Sequence, residues 1–190
     1  MGDDGARNIV KTYKGPLVRT KDGTYKLALP KDQCELLTHL ITELRDSLLT
    51  TTDDASLRRL FPTAYHNDAK KDAEYQRLMR EELLASRLSS IETTLKVISS
   101  SNELSESEVD AFARSINSLR LVIGTSLDIA ESDYSDTAAT AATAASSNSD
   151  SEIPDADQDE LAEQELVQHE LYDFLGWLLE WTVIAQSAGL

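Results

Sequence analysis

Hydrophobic residues change their spacing along the chain, and each change marks an element. Near the start, Tyr25, Leu27 and Leu29 alternate with Lys26 and Ala28, and Leu17-Val18-Arg19-Thr20 precedes them across Lys21-Asp22-Gly23. Alternation at period two reads as strand, and Asp-Gly between two such runs reads as a hairpin turn, because glycine takes positive φ without steric cost. A lone hairpin is marginal in water, so it is expected to pack on helices. Pro30 ends the second strand and Asp32 can cap the next element. Leu37, Leu40, Ile41, Leu44 and Leu48 then recur at three- and four-residue steps, which predicts an amphipathic helix to about Leu49. Asp53 or Asp54 offers an N-cap for a short turn from Ala55 to Phe61, stopped by Pro62.

Asp68 or Asp72 opens a long helix with apolar positions Tyr75, Leu78, Met79, Leu83, Leu84, Leu88, Ile91, Leu95 and Ile98, closed by Ser99 to Asn102. Ser105-Glu106-Ser107-Glu108 has the form of a capping box, so another helix is predicted there. Its buried stripe is Val109, Phe112, Ala113, Ile116, Leu119, Ile123 and Leu127, with Gly124 either breaking it or admitting a close neighbour. The pattern then lapses. Residues 131–157 hold Thr-Ala repeats, a Ser/Asn/Asp run and Pro154, with almost nothing large enough to bury, and read as a disordered acidic linker. A flexible coil of that length spans roughly 30 Å, which lets residues 158–190 return to residues 1–130. That last segment has the richest apolar content in the chain, including Leu161, Leu166, Leu171, Tyr172, Phe174, Leu175, Trp177, Leu178 and Trp181. The expected fold is mainly α: a bundle of about four longer helices with a small N-terminal β-hairpin, one domain overall.

Charge changes this picture at the surface. Residues 1–31 carry seven Lys/Arg against three Asp/Glu, residues 32–127 eleven against sixteen, and residues 128–190 fifteen Asp/Glu and no Lys or Arg. The acidic last third repels phosphate backbones, so nonspecific nucleic-acid affinity is expected to be low. Basic residues Arg58, Arg59, Lys70, Lys71, Arg77 and Arg80 cluster around the loop between the first helices, where phosphate, an acidic partner or the chain's own acidic tail would meet them. Direct DNA contact by this patch stays an open alternative.

The single cysteine, Cys34, excludes an internal disulfide and a multi-thiolate zinc site, and suits a reducing compartment. Residues 1–10 lack the apolar core of a signal peptide, and residues 171–190 carry Asp173 and Glu180 in an otherwise apolar stretch, so a cytoplasmic protein without membrane insertion is expected. Cys34 is a redox candidate if the helix dipole lowers its pKa, and a buried apolar residue otherwise. Glu35-His39-Glu43 and Glu165-His169-Asp173 each place three metal-ligand types on one helical face, a pattern that solvated stripes share; no metal and no cofactor are expected. None of the G-x-G-x-x-G, P-loop, G-x-S-x-G or H-E-x-x-H motifs occurs, which favours a non-enzymatic protein and leaves an unrecognised enzyme, with carboxylates and histidines converging in one pocket, as a further alternative. Trp177 and Trp181, one turn apart, are either an exposed anchor for a partner or core, and the apolar helix they lie on favours core.

Three stretches carry a family resemblance: Leu60-Phe61-Pro62-Thr63-Ala64-Tyr65 after Arg58-Arg59, Ile116 to Thr125 with Arg120 and Gly124, and Leu171-Tyr172-Asp173-Phe174-Leu175-Gly176-Trp177-Leu178. Together they resemble an actinobacterial family of AosR-type oxidative-stress transcriptional regulators, over most of the chain apart from the linker. Phe61, Pro62, Tyr65, Arg120, Gly124, Tyr172, Gly176 and Trp177 are then structural family motifs. The resemblance implies a redox-responsive regulator acting through the transcription machinery, and the family's frequent neighbourhood with the Clp adaptor implies an alternative role beside Clp proteolysis components. With one cysteine, a sensor built on an internal disulfide is excluded here.

Overall fold

The computed structural model describes residues 15–50, 54–100, 103–127 and 156–188, with side chains in the last stretch from Glu163 onward. The predicted hairpin forms from β1 (Leu17–Arg19) and β2 (Tyr25–Leu27), antiparallel in the register Leu17↔Leu27. Gly23 takes φ 82° in the turn, where a side chain would be strained. Tyr25 exchanges both backbone hydrogen bonds with Leu104, 2.8 and 2.7 Å, which ties the hairpin to the body. Leu17 and Tyr25 are buried with Val97, Leu104, Val109 and Ala185 in a satellite core.

Helix α1 (Lys31–Thr50) follows Pro30 and buries Leu37, Ile41, Leu44 and Leu48, as their spacing predicts. A 3-10 turn (Ala55–Leu60) is capped by Asp54, whose carboxylate accepts from Ser56 N–H. Helix α2 (Ala69–Ser99) starts at Asp68, whose side chain accepts from Lys71 N–H; Asp72 instead accepts from the Ala64 and Tyr65 N–H groups and pins the preceding loop. Helix α3 (Glu106–Ser126) opens with the full capping box: Ser105 Oγ accepts from Glu108 N–H, and Glu108 Oε2 accepts from Ser105 N–H at 2.8 Å. Helix α4 (Ala156–Ser187) begins two residues inside the span predicted as linker; the remainder of that span lies outside the described residues.

The main core joins α1 (Leu37, Ile41, Leu44, Leu48), the 3-10 turn (Leu57, Leu60), Ile91 of α2, α3 (Phe112, Ile116, Leu119) and α4 (Leu175, Leu178). Thr94 and Ser115 are buried and satisfy each other between α2 and α3 at 2.9 Å, so the polar pair costs little. Gly124 lies opposite Tyr172, and Asp110 Oδ1 accepts from Gln186 Nε2 at 2.8 Å, so α3 and α4 run antiparallel. That register explains one departure from the sequence expectation. Before about residue 170, α4 has run past the end of α3, and Leu166 stays 60% exposed in spite of its apolar character. Leu78, on the N-terminal half of α2, is likewise 60% exposed.

Hydrogen bonding with Ser105, backbone first and hydroxyl second, holds the Glu108 carboxyl below its usual range. A depressed folded pKa adds stability that is present above the unfolded pKa and lost as pH falls through the folded one. Glu108→Gln keeps an acceptor for Ser105 N–H but loses the charge, so it is expected to cost about 0.5 kcal/mol at neutral pH, with the difference from wild type disappearing in acid; urea titrations at neutral and acid pH read it. A pH-independent difference would contradict the box.

Candidate functional site

Five of the chain's arginines bear on one region around the 3-10 turn. Arg58 and Arg59 lie near the end of the turn, and Phe61 follows its last residue, Leu60. Arg80 and Arg87, seven residues apart and thus on one face of α2, both lie against the Phe61 ring, with guanidinium carbons 4.3 and 5.9 Å from its centroid. Arg87 spans three elements. Its Nη2 donates to Leu60 O at 2.7 Å and its Nη1 to Ser118 Oγ at 3.0 Å, while Nε is buried without an acceptor. Burial alone pushes its pKa down, and no ion pair to a carboxylate is found for it among the described residues.

On the other side of the turn, Arg120 stacks over Tyr172 at 4.2 Å, and Gly124 clears the space for that ring. A Cβ on Gly124 would stand 2.8 Å from Tyr172 Cε2 and 3.4 Å from Arg59 Nη1. Gly124 thus admits a close neighbour and leaves α3 unbroken. The loop from Phe61 to Tyr65 is fixed by Asp72, by Gln76 Nε2 donating to Pro62 O at 2.9 Å, and by edge-to-face contact of Tyr65 with Tyr75 at 6.2 Å.

Of the sequence candidates, Arg58, Arg59 and Arg80 are gathered here. Lys70, Lys71 and Arg77 stay exposed; Lys70 and Lys71 lie roughly 14 Å before Arg80 along α2 at 1.5 Å per residue, and Lys71 pairs with Asp68 at 3.4 Å. Arg87 was not among the sequence candidates, and its spacing of seven from Arg80 is the one signal that could have found it. Gly176 is half-buried inside α4.

The remaining candidates are scattered. Cys34 is half-buried, and its thiol is pushed up by burial first and then by the carboxylates of Asp32 and Glu35, the reverse of a helix-dipole activation. Within the first ligand-like triple, His39 Nε2 meets Glu43 at 3.4 Å while Glu35 pairs with Lys31 at 3.3 Å; the second triple is exposed. The described residues hold no group of three or more such ligands placed for a metal ion. No described helix is long and apolar enough to cross a membrane.

Trp177 and Trp181 depart from the core reading. The buried face of α4 is Tyr172, Leu175, Leu178, Thr182 and Ala185, and the tryptophans lie on the adjoining stripe with Ile184. Trp177 is 41% exposed, stacked on Phe174 at 6.0 Å, and Trp181 is half-buried under Gly15. Two cavities of about 510 and 530 Å³ meet at Trp181 and Gly15, between the hairpin and the C-terminal half of α4.

A family model described as a domain of unknown function (DUF2017) matches residues 14–186. The chain belongs to the DUF2017 family. That span takes in the hairpin, the four described α-helices and the arginine region, so the DUF2017 match covers the bundle described above. No curated protein and no solved structure matches the chain.

Proposed function

We propose that this DUF2017 protein is a non-enzymatic regulator that works in the cytoplasm through protein–protein contact, with the arginine region as the surface for an acidic partner. One observation carries the reading: Arg87 is half-buried with its Nε out of water and lacking an acceptor, has no carboxylate partner among the described residues, and shares Phe61 with Arg80. A guanidinium taken from water without an anion is unfavourable, so an acidic segment that docks there recovers energy the free protein lacks. The planar fork of arginine suits bidentate capture of carboxylates.

The resemblance to AosR-type regulators supports transcription under oxidative stress as the setting. The raised thiol pKa of Cys34 gives no support to direct sensing by this chain, so the stress signal is assigned to the partner. The test is affinity capture of the full chain from source cells beside Arg80→Gln and Arg87→Lys. Each variant should lose at least tenfold of the same acidic partner. RNA polymerase or a sigma factor among the lost proteins supports transcription, and Clp subunits place the regulator beside proteolysis. Equal recovery by wild type and both variants would overturn the arginine assignment.

A further inference from the structure

The tryptophans that the core leaves out wall a groove against the hairpin. Strand β1 begins beneath α4, and Gly15 lies so close under Trp181 that a Cβ would fall inside the ring. Gly15, Pro16 and Leu17 are buried there, so the groove is closed at that end and no further strand joins β1. Its larger cavity, of about 530 Å³, opens between Trp177 and Trp181, one turn apart on α4, and Val18, Ala28, Leu29 and Pro30 of the hairpin. Val18 and Lys26 are partners in the ladder, so their side chains share a face. Lys26 is exposed on that face and brings an ammonium on a flexible stem to the cavity, where Thr20 and Gln33 add polar groups. Arg19, with its guanidinium carbon 5.7 Å from the Tyr25 ring centroid, lines this cavity and the adjoining one of about 510 Å³, which Lys21 also lines.

Charge sets these walls apart from the rest of the molecule. The chain has 34 Asp/Glu against 18 Lys/Arg, yet three cations and no carboxylate among the described residues line the two cavities, although Glu180 adjoins Trp181 in sequence and Asp22 adjoins Lys21. An apolar, aromatic-walled hollow with a few convergent polar groups is the common form of a small-molecule site, and such pockets run to roughly 300–1,000 Å³.

We propose that the tryptophan groove binds a small amphipathic organic acid, with an aliphatic body against Trp177, Trp181 and Leu29 and a carboxylate at the mouth with Lys26 and Arg19. The body covers indole and aliphatic surface that otherwise faces water, which supplies the affinity. The cations at the mouth select the sign of the head group. A symmetric second copy of this chain would bring the same cations against these. Residues 1–14, with three Lys/Arg against two Asp, are also the wrong sign. The groove is separate from the arginine region, since Arg80 and Val97, which packs under the hairpin, lie roughly 25 Å apart along α2 at 1.5 Å per residue.

Both tryptophans of the chain line this groove, so intrinsic fluorescence of the full protein reads its occupancy. The probe is decanoate below its micelle range, and it should give a saturable change in tryptophan emission at submillimolar concentration. Decylamine, with the same chain and the opposite charge, and butanoate, with the same charge and a shorter chain, should each bind at least tenfold more weakly. Lys26→Glu should cut the preference for decanoate over decylamine at least threefold. Ala28 is exposed two residues on from Lys26, hence on the same face, and Ala28→Phe should fill the cavity and weaken decanoate at least tenfold with an unchanged circular dichroism spectrum. Arg80→Gln should respond as wild type, which keeps this outcome apart from that of the arginine region. No saturable change up to millimolar decanoate, equal affinity for decanoate and decylamine, a preference unchanged by Lys26→Glu, or full binding by folded Ala28→Phe would overturn the proposal.

Discussion

Leu178→Ala is expected to lower the unfolding free energy by about 3–4 kcal/mol. Leu178 is 1% exposed and belongs to the main core with Leu37, Ile41, Phe112 and Leu175, so truncation leaves a void bounded by α1, α3 and α4. A domain of this size is held by roughly 5–15 kcal/mol in total, so the loss is a large share of it. Urea unfolding reads the change, with the denaturant slope as the check that the transition stays cooperative. Leu166→Ala, on the exposed first half of the same helix, is the control and should stay within about 0.5 kcal/mol of wild type. A loss below about 1 kcal/mol for Leu178→Ala would mean that α4 is not part of the core, since buried leucine truncations cost roughly 2–5 kcal/mol.

Gly124→Val is expected to cost about 2–3 kcal/mol by overpacking. The first atom added stands 2.8 Å from the Tyr172 ring, and that ring is 8% exposed with Arg120 stacked on it, so it has no free direction in which to yield. Gly124→Ala should cost less, because alanine recovers about 1 kcal/mol of helix propensity while meeting the same ring. Thermal melts of the two variants should therefore fall in the order wild type, Ala, Val. A valine variant as stable as wild type would place Tyr172 elsewhere.

These outcomes trace back unequally to the sequence. The hairpin was legible because its signal is local: alternation, an Asp-Gly turn and a proline stop all lie within Leu17 to Pro30. The α3 start was legible for the same reason, since Ser105 and Glu108 satisfy one another across a single turn. The tryptophans were not. Residue spacing gives α4 a broad apolar sector, and only the presence of α3 on one flank and the hairpin on the other decides that Leu175 and Leu178 go in while Trp177 stays 41% exposed. The extent of burial along α4 was hidden likewise, because it depends on where α3 ends. In the arginine region, Arg58, Arg59 and Arg80 stood out by clustering, whereas Arg87 belongs to it through Leu60 O and Ser118, 27 and 31 residues away in the chain.

The arginine region and the tryptophan groove both require α4 to lie against α3 from Tyr172 to Gln186, and amide hydrogen exchange on the intact chain tests that contact most directly. Amides near Leu175, Leu178 and Thr182 should exchange as slowly as those around Ile116 and Leu119, through global unfolding, while those between Glu163 and Glu170 exchange orders of magnitude faster. Exchange at Leu175 to Thr182 as fast as at Glu163 to Glu170 would contradict it, and both surfaces would then lose their scaffold.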